Sequence, residues 1–102
     1  MEKRQQLHQE LLDILGSPNV YYQPPPTVQM KYPCIVYHRS TGDTTFADNY
    51  PYMFTVRYQL TYITRNADDP MVEKLARAFP SIRYDRHFTS DNLNHETFDL
   101  YY

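Results

Sequence analysis

The sequence predicts an α+β fold: a two-layer sandwich in which a mostly antiparallel sheet carries two helices, in the order α-β-β-β-α-β-β. Three observations lead there. Leucine and isoleucine recur at helical spacing near the N-terminus, and apolar side chains alternate strictly from Phe54 to Tyr62. The C-terminal segment then alternates again on both sides of a polar loop. A chain of 102 residues has the length of one domain (1–102) with a single core of modest stability.

The first element is a helix over residues 1–16. Leu7, Leu11, Leu12, Ile14 and Leu15 share one face, and Gly16 is placed for a left-handed C-terminal cap. "SPN" is turn chemistry, and "VYYQ" is aromatic and β-branched enough for a short strand ending at the prolines. Pro24, Pro25 and Pro26 donate no ladder hydrogen bonds and hold φ near about -65°. They raise two possibilities, a ligand for an aromatic groove or a spacer. With the three adjacent and Pro33 seven residues on, the spacing does not fit P-x-x-P recognition, so a stiff extended connector leading Tyr32 and Pro33 into a central strand is expected.

"CIVYHRS" reads as that strand, covered on both faces, and residues 41–52, "TGDTTFADNYPY", as an irregular arm. From Met53 to Arg65, Phe54, Val56, Tyr58, Leu60 and Tyr62 take one parity and Thr55, Arg57, Gln59 and Thr61 the other, which is a long half-buried strand. "NADDP" supplies an aspartate cap with proline at the first helical position, and Val72, Leu75, Ala76 and Phe79 follow until Pro80 stops the helix. Ile82, Tyr84 and Phe88 share an inward parity with Phe98, Leu100 and Tyr102 beyond "TSDNLN". Of the two registers that put both sets on one face, one sets Asp85 against Asp99. The other pairs Ile82 with Leu100, Arg83 with Asp99, Tyr84 with Phe98 and Arg86 with Glu96, and is favoured by about 0.2–1 kcal/mol per pair.

Composition narrows the function. Eleven tyrosines and five phenylalanines favour strands and interfaces, and a net charge of -2 argues against a domain built to neutralise nucleic-acid phosphates. One cysteine forms no internal disulfide, no apolar run approaches a membrane span, and the charged N-terminus lacks the core of a signal peptide, so a soluble intracellular protein is expected.

Reactive groups are few. Cys34 and His38 share a strand face but sit about 13 Å apart, too far for a thiol-imidazole dyad, which leaves Cys34 as a small core hydrophobe. The favoured register opposes His87 and His95, half of a metal site at most, with Asp85 and Asp91 as the nearest extra carboxylates. The two glycines, Gly16 and Gly42, open no helix and form no phosphate loop. Aromatic strands with Arg57, Arg65, Arg83 and Arg86 suggest base stacking, but the shared inward parity of the rings favours core packing beneath helices. No catalytic residue, cofactor or metal is expected.

The segments "YPCIVYHRSTGDTTFADNYPY", "RYQLTYITRNADDPMVEKL" and above all "YDRHFTSDNLNHETFDLYY" resemble the tail terminator, or tail completion, proteins of long-tailed phages and of prophages in Gram-positive bacteria, over about residues 18–102. The resemblance implies a structural virion protein, not an enzyme. It implies a homo-oligomer, usually a hexameric ring, at the tail end of the virion, assembled in the host cytoplasm, which stops growth of the tail tube and offers a head-tail joining surface. The implied partners are further copies of the chain, the major tail tube protein and the head-tail connector protein. No membrane is involved, and DNA passes through without specific binding. A ring built head to tail joins two different patches. The expected subunit contacts are Phe46, Asp48, Tyr50 and Tyr52 on the arm, Arg57 on the outward face of the long strand, and Asp91 and Asn92 in the terminal loop. A head-tail connector or adaptor, or a single-strand nucleic-acid-binding domain, are the alternatives.

Overall fold

The computed structural model describes residues 3–47 and 50–102, with backbone alone for 41–47 and 50–55. Its elements are α1 (Lys3–Leu15), β1 (Val20–Tyr22), β2 (Cys34–Ala47), β3 (Tyr50–Thr64), α2 (Met71–Ala76), β4 (Ile82–Ser90) and β5 (Leu93–Tyr101). The order is the α-β-β-β-α-β-β of an α+β fold. One five-stranded sheet runs β1-β2-β3-β5-β4, antiparallel throughout except for the parallel β1-β2 pair.

Both helices lie on one face. Leu7 and Leu11 of α1 and Leu75 of α2 join Val20, Ile35, Tyr37, Tyr58, Leu60, Tyr62, Phe98 and Leu100 in a single core, so the even parity of β3 points inward as its alternation predicts. α1 ends at the left-handed Gly16 (φ +73°), whose amide donates to the Leu12 carbonyl at 2.9 Å. α2 is shorter than its apolar spacing suggests. It closes at Ala76, because the Arg77 and Ala78 amides bond to the Lys74 and Leu75 carbonyls three residues back, a tightened final turn that ends well before Pro80.

A different ending holds for the proline segment. β1 stops at Tyr22, but the connector is not extended throughout, since the Val28 amide donates to the Pro25 carbonyl and closes a turn. The chain then returns past Tyr21, whose hydroxyl accepts from the Lys31 amide, and enters β2 beside β1 with parallel polarity.

Of the expected irregular arm, residues 41–47 and 50–52 are strand. β2 continues to Ala47 and β3 begins at Tyr50, pairing Thr41 with Arg57 through Ala47 with Tyr50, with register shifts at Arg39/Thr41 and Thr45/Phe46. The shifts skip Ser40 and Tyr52, whereas the turn-forming Gly42 and Asp43 pair in regular register with Val56 and Thr55. The molecule is 51 Å long by 26 × 23 Å across.

The C-terminal hairpin follows the expected register only for Ile82, Arg83 and Tyr84, which face Leu100, Asp99 and Phe98. A bulge at Asp85 then moves the pairing by one residue, so that Arg86 faces Thr97, His87 faces Glu96 and Phe88 faces His95. The expected Arg86–Glu96 and His87–His95 pairs do not form. Phe88 is turned from the helix side to the uncovered face. The bulge is held across the ladder by Thr97, whose hydroxyl accepts from the Arg86 amide (3.2 Å) and donates to the Asp85 carboxylate (3.0 Å).

Candidate subunit interface

The expected contact residues fall into three places. Phe46, Tyr50 and Tyr52 lie together at the far end of the β2/β3 hairpin, where Ala47 pairs with Tyr50; Asp48 lies outside the described residues. Arg57 sits at the root of that hairpin, opposite Tyr101 of β5, about 23 Å from Tyr50 at the rise of a strand. Asp91 and Asn92 form the two-residue turn between β4 and β5, beyond the Thr64–Asn94 pair at the other end of the sheet. Their φ values of 53° and 62° are left-handed, which Asp and Asn tolerate and which suits the twist of a tight hairpin.

Arg57 takes the outward parity that its alternation predicts, but its side chain is already engaged. Nε donates to Ser40 Oγ at 3.1 Å, and that hydroxyl donates to the Arg57 carbonyl at 3.1 Å. Ser40 is the residue skipped where the register shifts between Arg39 and Thr41, so this pair braces the bulge from which the hairpin departs. Beside it a cleft of about 350 Å³ is lined by Arg57, Arg83, Asp99 and Tyr101 on the outward face together with Pro80, Ser81 and Ile82.

Beyond Arg57 the sheet narrows to two strands. β5 ends its ladder at Arg57–Tyr101, followed by one bond from the Tyr102 amide to the Val56 carbonyl, and β1 ends at Tyr22–Tyr37, so among the described residues the hairpin beyond Val56 has no strand on either side. A two-stranded ribbon in water is marginally stable, and its edges expose unpaired amides and carbonyls. β4 is a second free edge. Among the described residues it pairs with β5 alone, and all of its residues after Ile82 are exposed. Sequence periodicity marks it as half-buried. The reason it is not is positional: it is the last strand of the sheet, and the helices cover the sheet's centre.

The uncovered face beside β4 carries a ring stack. Phe88 lies on His95 with centroids 4.7 Å apart and planes within 14°, and the Arg86 guanidinium is 5.4 Å from the Phe88 centroid. Tyr101, on the same outward parity, is exposed. On the other face Glu96 accepts from the Tyr84 hydroxyl at 3.3 Å, with His87 Nε2 at 3.8 Å from its carboxylate. His87 also meets Asn94 Oδ1 at 3.2 Å. Among the described residues no three His, Cys, Asp or Glu side chains converge on a point that would hold a metal ion.

Several other titratable groups are fixed by burial or by hydrogen bonds within the fold. Burial pushes the Cys34 thiol up to about 11, and the side chain is fully enclosed while His38 is exposed. Tyr37 Oη accepts from Arg4 at 3.4 Å and lies 2.8 Å from His8 Nδ1. Burial raises the Tyr37 phenol, whereas burial and then the Arg4 charge lower the His8 imidazole. Asp69 accepts from Tyr62 Oη (2.6 Å), Thr64 Oγ1 (2.8 Å) and the Met71 amide (2.9 Å). Burial opposes its ionisation, but these three bonds outweigh that and hold the carboxyl below its usual range.

Among the described residues, unpaired strand edges thus run along both sides of the hairpin and along β4, and the expected contacts at the hairpin tip and at the Asp91–Asn92 turn lie at opposite ends of one sheet. No family profile and no curated protein sequence matches the chain.

Proposed function

We propose that this chain is a structural assembly protein that caps the tail tube of a long-tailed phage as a homo-oligomeric ring. One observation carries the reading. The β2/β3 hairpin extends about 23 Å past the last residue that a third strand supports, a length that a lone domain has no use for. Asp91 and Asn92 occupy the opposite end of the sheet, and head-to-tail rings require two unlike patches of this kind. The resemblance of residues 18–102 to tail terminators supplies the specific role: a ring that binds the last tube layer on one side, offers a different surface to the head connector on the other, and so removes the template for further growth.

The test adds the purified chain to polymerising tail tube protein and measures tube length by negative-stain electron microscopy. Capping predicts shorter tubes with a ring at one end. Tubes of unchanged length without end density would refute it. Tyr50→Ala with Tyr52→Ala is expected to weaken ring formation in light scattering while the monomer keeps its circular dichroism; unchanged assembly would remove the hairpin tip from the interface.

A second reading has one observation of its own. Phe88 and Tyr101 lie exposed on the uncovered face with Arg83 and Arg86, the combination of rings and cations on which single-stranded nucleic acid stacks. Salt-dependent binding of oligonucleotides by a stable monomer, lost in Phe88→Ala, would favour it.

A further inference from the structure

We infer that copies of this chain join by strand addition, the β2 edge of one subunit's hairpin pairing antiparallel with the exposed β4 edge of the next; this rests on the proposed self-assembly. The topology allows these two edges to pair antiparallel. Along the order β1-β2-β3-β5-β4, strand polarity runs up, up, down, up, down. If the next subunit keeps the same faces and the same polarity, its β2 lies alongside this subunit's β4 in the opposite direction, and the antiparallel sheet continues without a break.

Register points to the same edge. The Tyr102 amide donates to the Val56 carbonyl at 3.1 Å, so the backbone of Val56 faces away from β2, and that of its partner Gly42 faces away from β3. The two-residue repeat places Thr44 likewise. β2 has no proline from Thr41 to Ala47, whereas the β3 strand of the same hairpin lacks a donor at Pro51. At the inner limit, Gln23 Oε1 already accepts from the Arg39 amide, so the free edge begins beyond that point.

Charge fits as well. Thr41–Ala47 carries one acid, Asp43, and no base, whereas β4 carries Arg83 and Arg86 against Asp85. The basic edge repels its own kind and attracts the acidic hairpin, so β4–β4 pairing is disfavoured. The hairpin lies about seven residues further along the strand direction than β4, so each junction is staggered, and a closed assembly of this kind has strands tilted to its axis.

Charge exchange tests the junction. Arg83→Glu with Arg86→Glu places acids on β4 against Asp43, and Asp43→Lys places a base on the hairpin against Arg83 and Arg86. Each variant alone is expected to self-associate about tenfold more weakly than the parent chain in sedimentation or light scattering. An equimolar mixture of the two restores assembly, because each variant's hairpin then meets an opposite charge on the other's β4. Circular dichroism and thermal melting of each variant establish that it is folded. The proposal is overturned if either variant assembles like the parent, if folded variants fail to recover when mixed, or if the parent chain stays monomeric at its solubility limit. Tube capping by a parent chain whose self-assembly ignores these exchanges would leave the proposed function standing and remove this junction alone.

Discussion

Replacing Asp69 with alanine tests how the short second helix is fastened to the sheet. Asp69 is the acceptor for Tyr62 Oη, Thr64 Oγ1 and the Met71 amide, and Tyr62 and Thr64 are 1% and 3% exposed. Without the carboxylate, the Tyr62 hydroxyl becomes a buried donor with no acceptor, which costs about 1–3 kcal/mol. Loss of the cap at Met71 adds about 1 kcal/mol. The sum, about 3 kcal/mol, is a large part of the roughly 5–15 kcal/mol that stabilises a domain. Urea unfolding followed by circular dichroism measures it. Tyr62→Phe removes the donor in advance, so in that background Asp69→Ala should cost about 1–2 kcal/mol less. The pH dependence follows from the lowered Asp69 carboxyl. Its contribution is complete above the unfolded value of about 3.9 and disappears as pH falls from there through the folded value. Asp69→Ala should therefore flatten the acid limb of the stability curve. A loss below about 0.5 kcal/mol, or equal losses with and without the Tyr62 hydroxyl, would refute the reasoning, since that is the scatter of independent sites.

Other expectations are simpler. Cys34, enclosed and raised to about 11, should resist thiol reagents at pH 8 in the folded protein and react at once in denaturant; rapid native labelling would contradict its burial. His8, lowered by burial and by Arg4, favours the neutral ring in the folded state, so its contribution is complete above about pH 6.5 and declines as pH falls through the folded value. His8→Gln should remove that slope from melting curves recorded between pH 7 and 5. In the β4/β5 turn, Asn92→Val forces a β-branched residue into φ 62° and should cost about 1–2 kcal/mol, whereas Asn92→Gly should be neutral or stabilising. Equal melting temperatures for the two variants would argue against a left-handed turn.

The first three pairs of the C-terminal hairpin needed charge complementarity across the strands as well as alternation, whereas local spacing and residue type by themselves determined the α+β class, the helical face of α1 with its left-handed Gly16, and the inward parity of β3. Each of these depends on neighbours a few residues apart, and the physics of side-chain spacing acts at that range. What tertiary structure decided involves partners distant in the chain. The bulge at Asp85 is held by Thr97, twelve residues away, and it turns Phe88 onto His95 and separates His87 from it. Parity cannot signal it, because one added residue reverses every later face. Of the adjacent Asp68 and Asp69, only the second reaches Tyr62 and Thr64, a choice made by the position of β3. The candidate interface divides in the same way. Residue types marked the hairpin tip and the Asp91–Asn92 turn, but the continuation of β2 to Ala47 and the start of β3 at Tyr50 were hidden by loop composition and irregular register. The exposure of β4 was hidden too, because a strand's place at the edge of a sheet is fixed by the order of pairing and not by the strand itself.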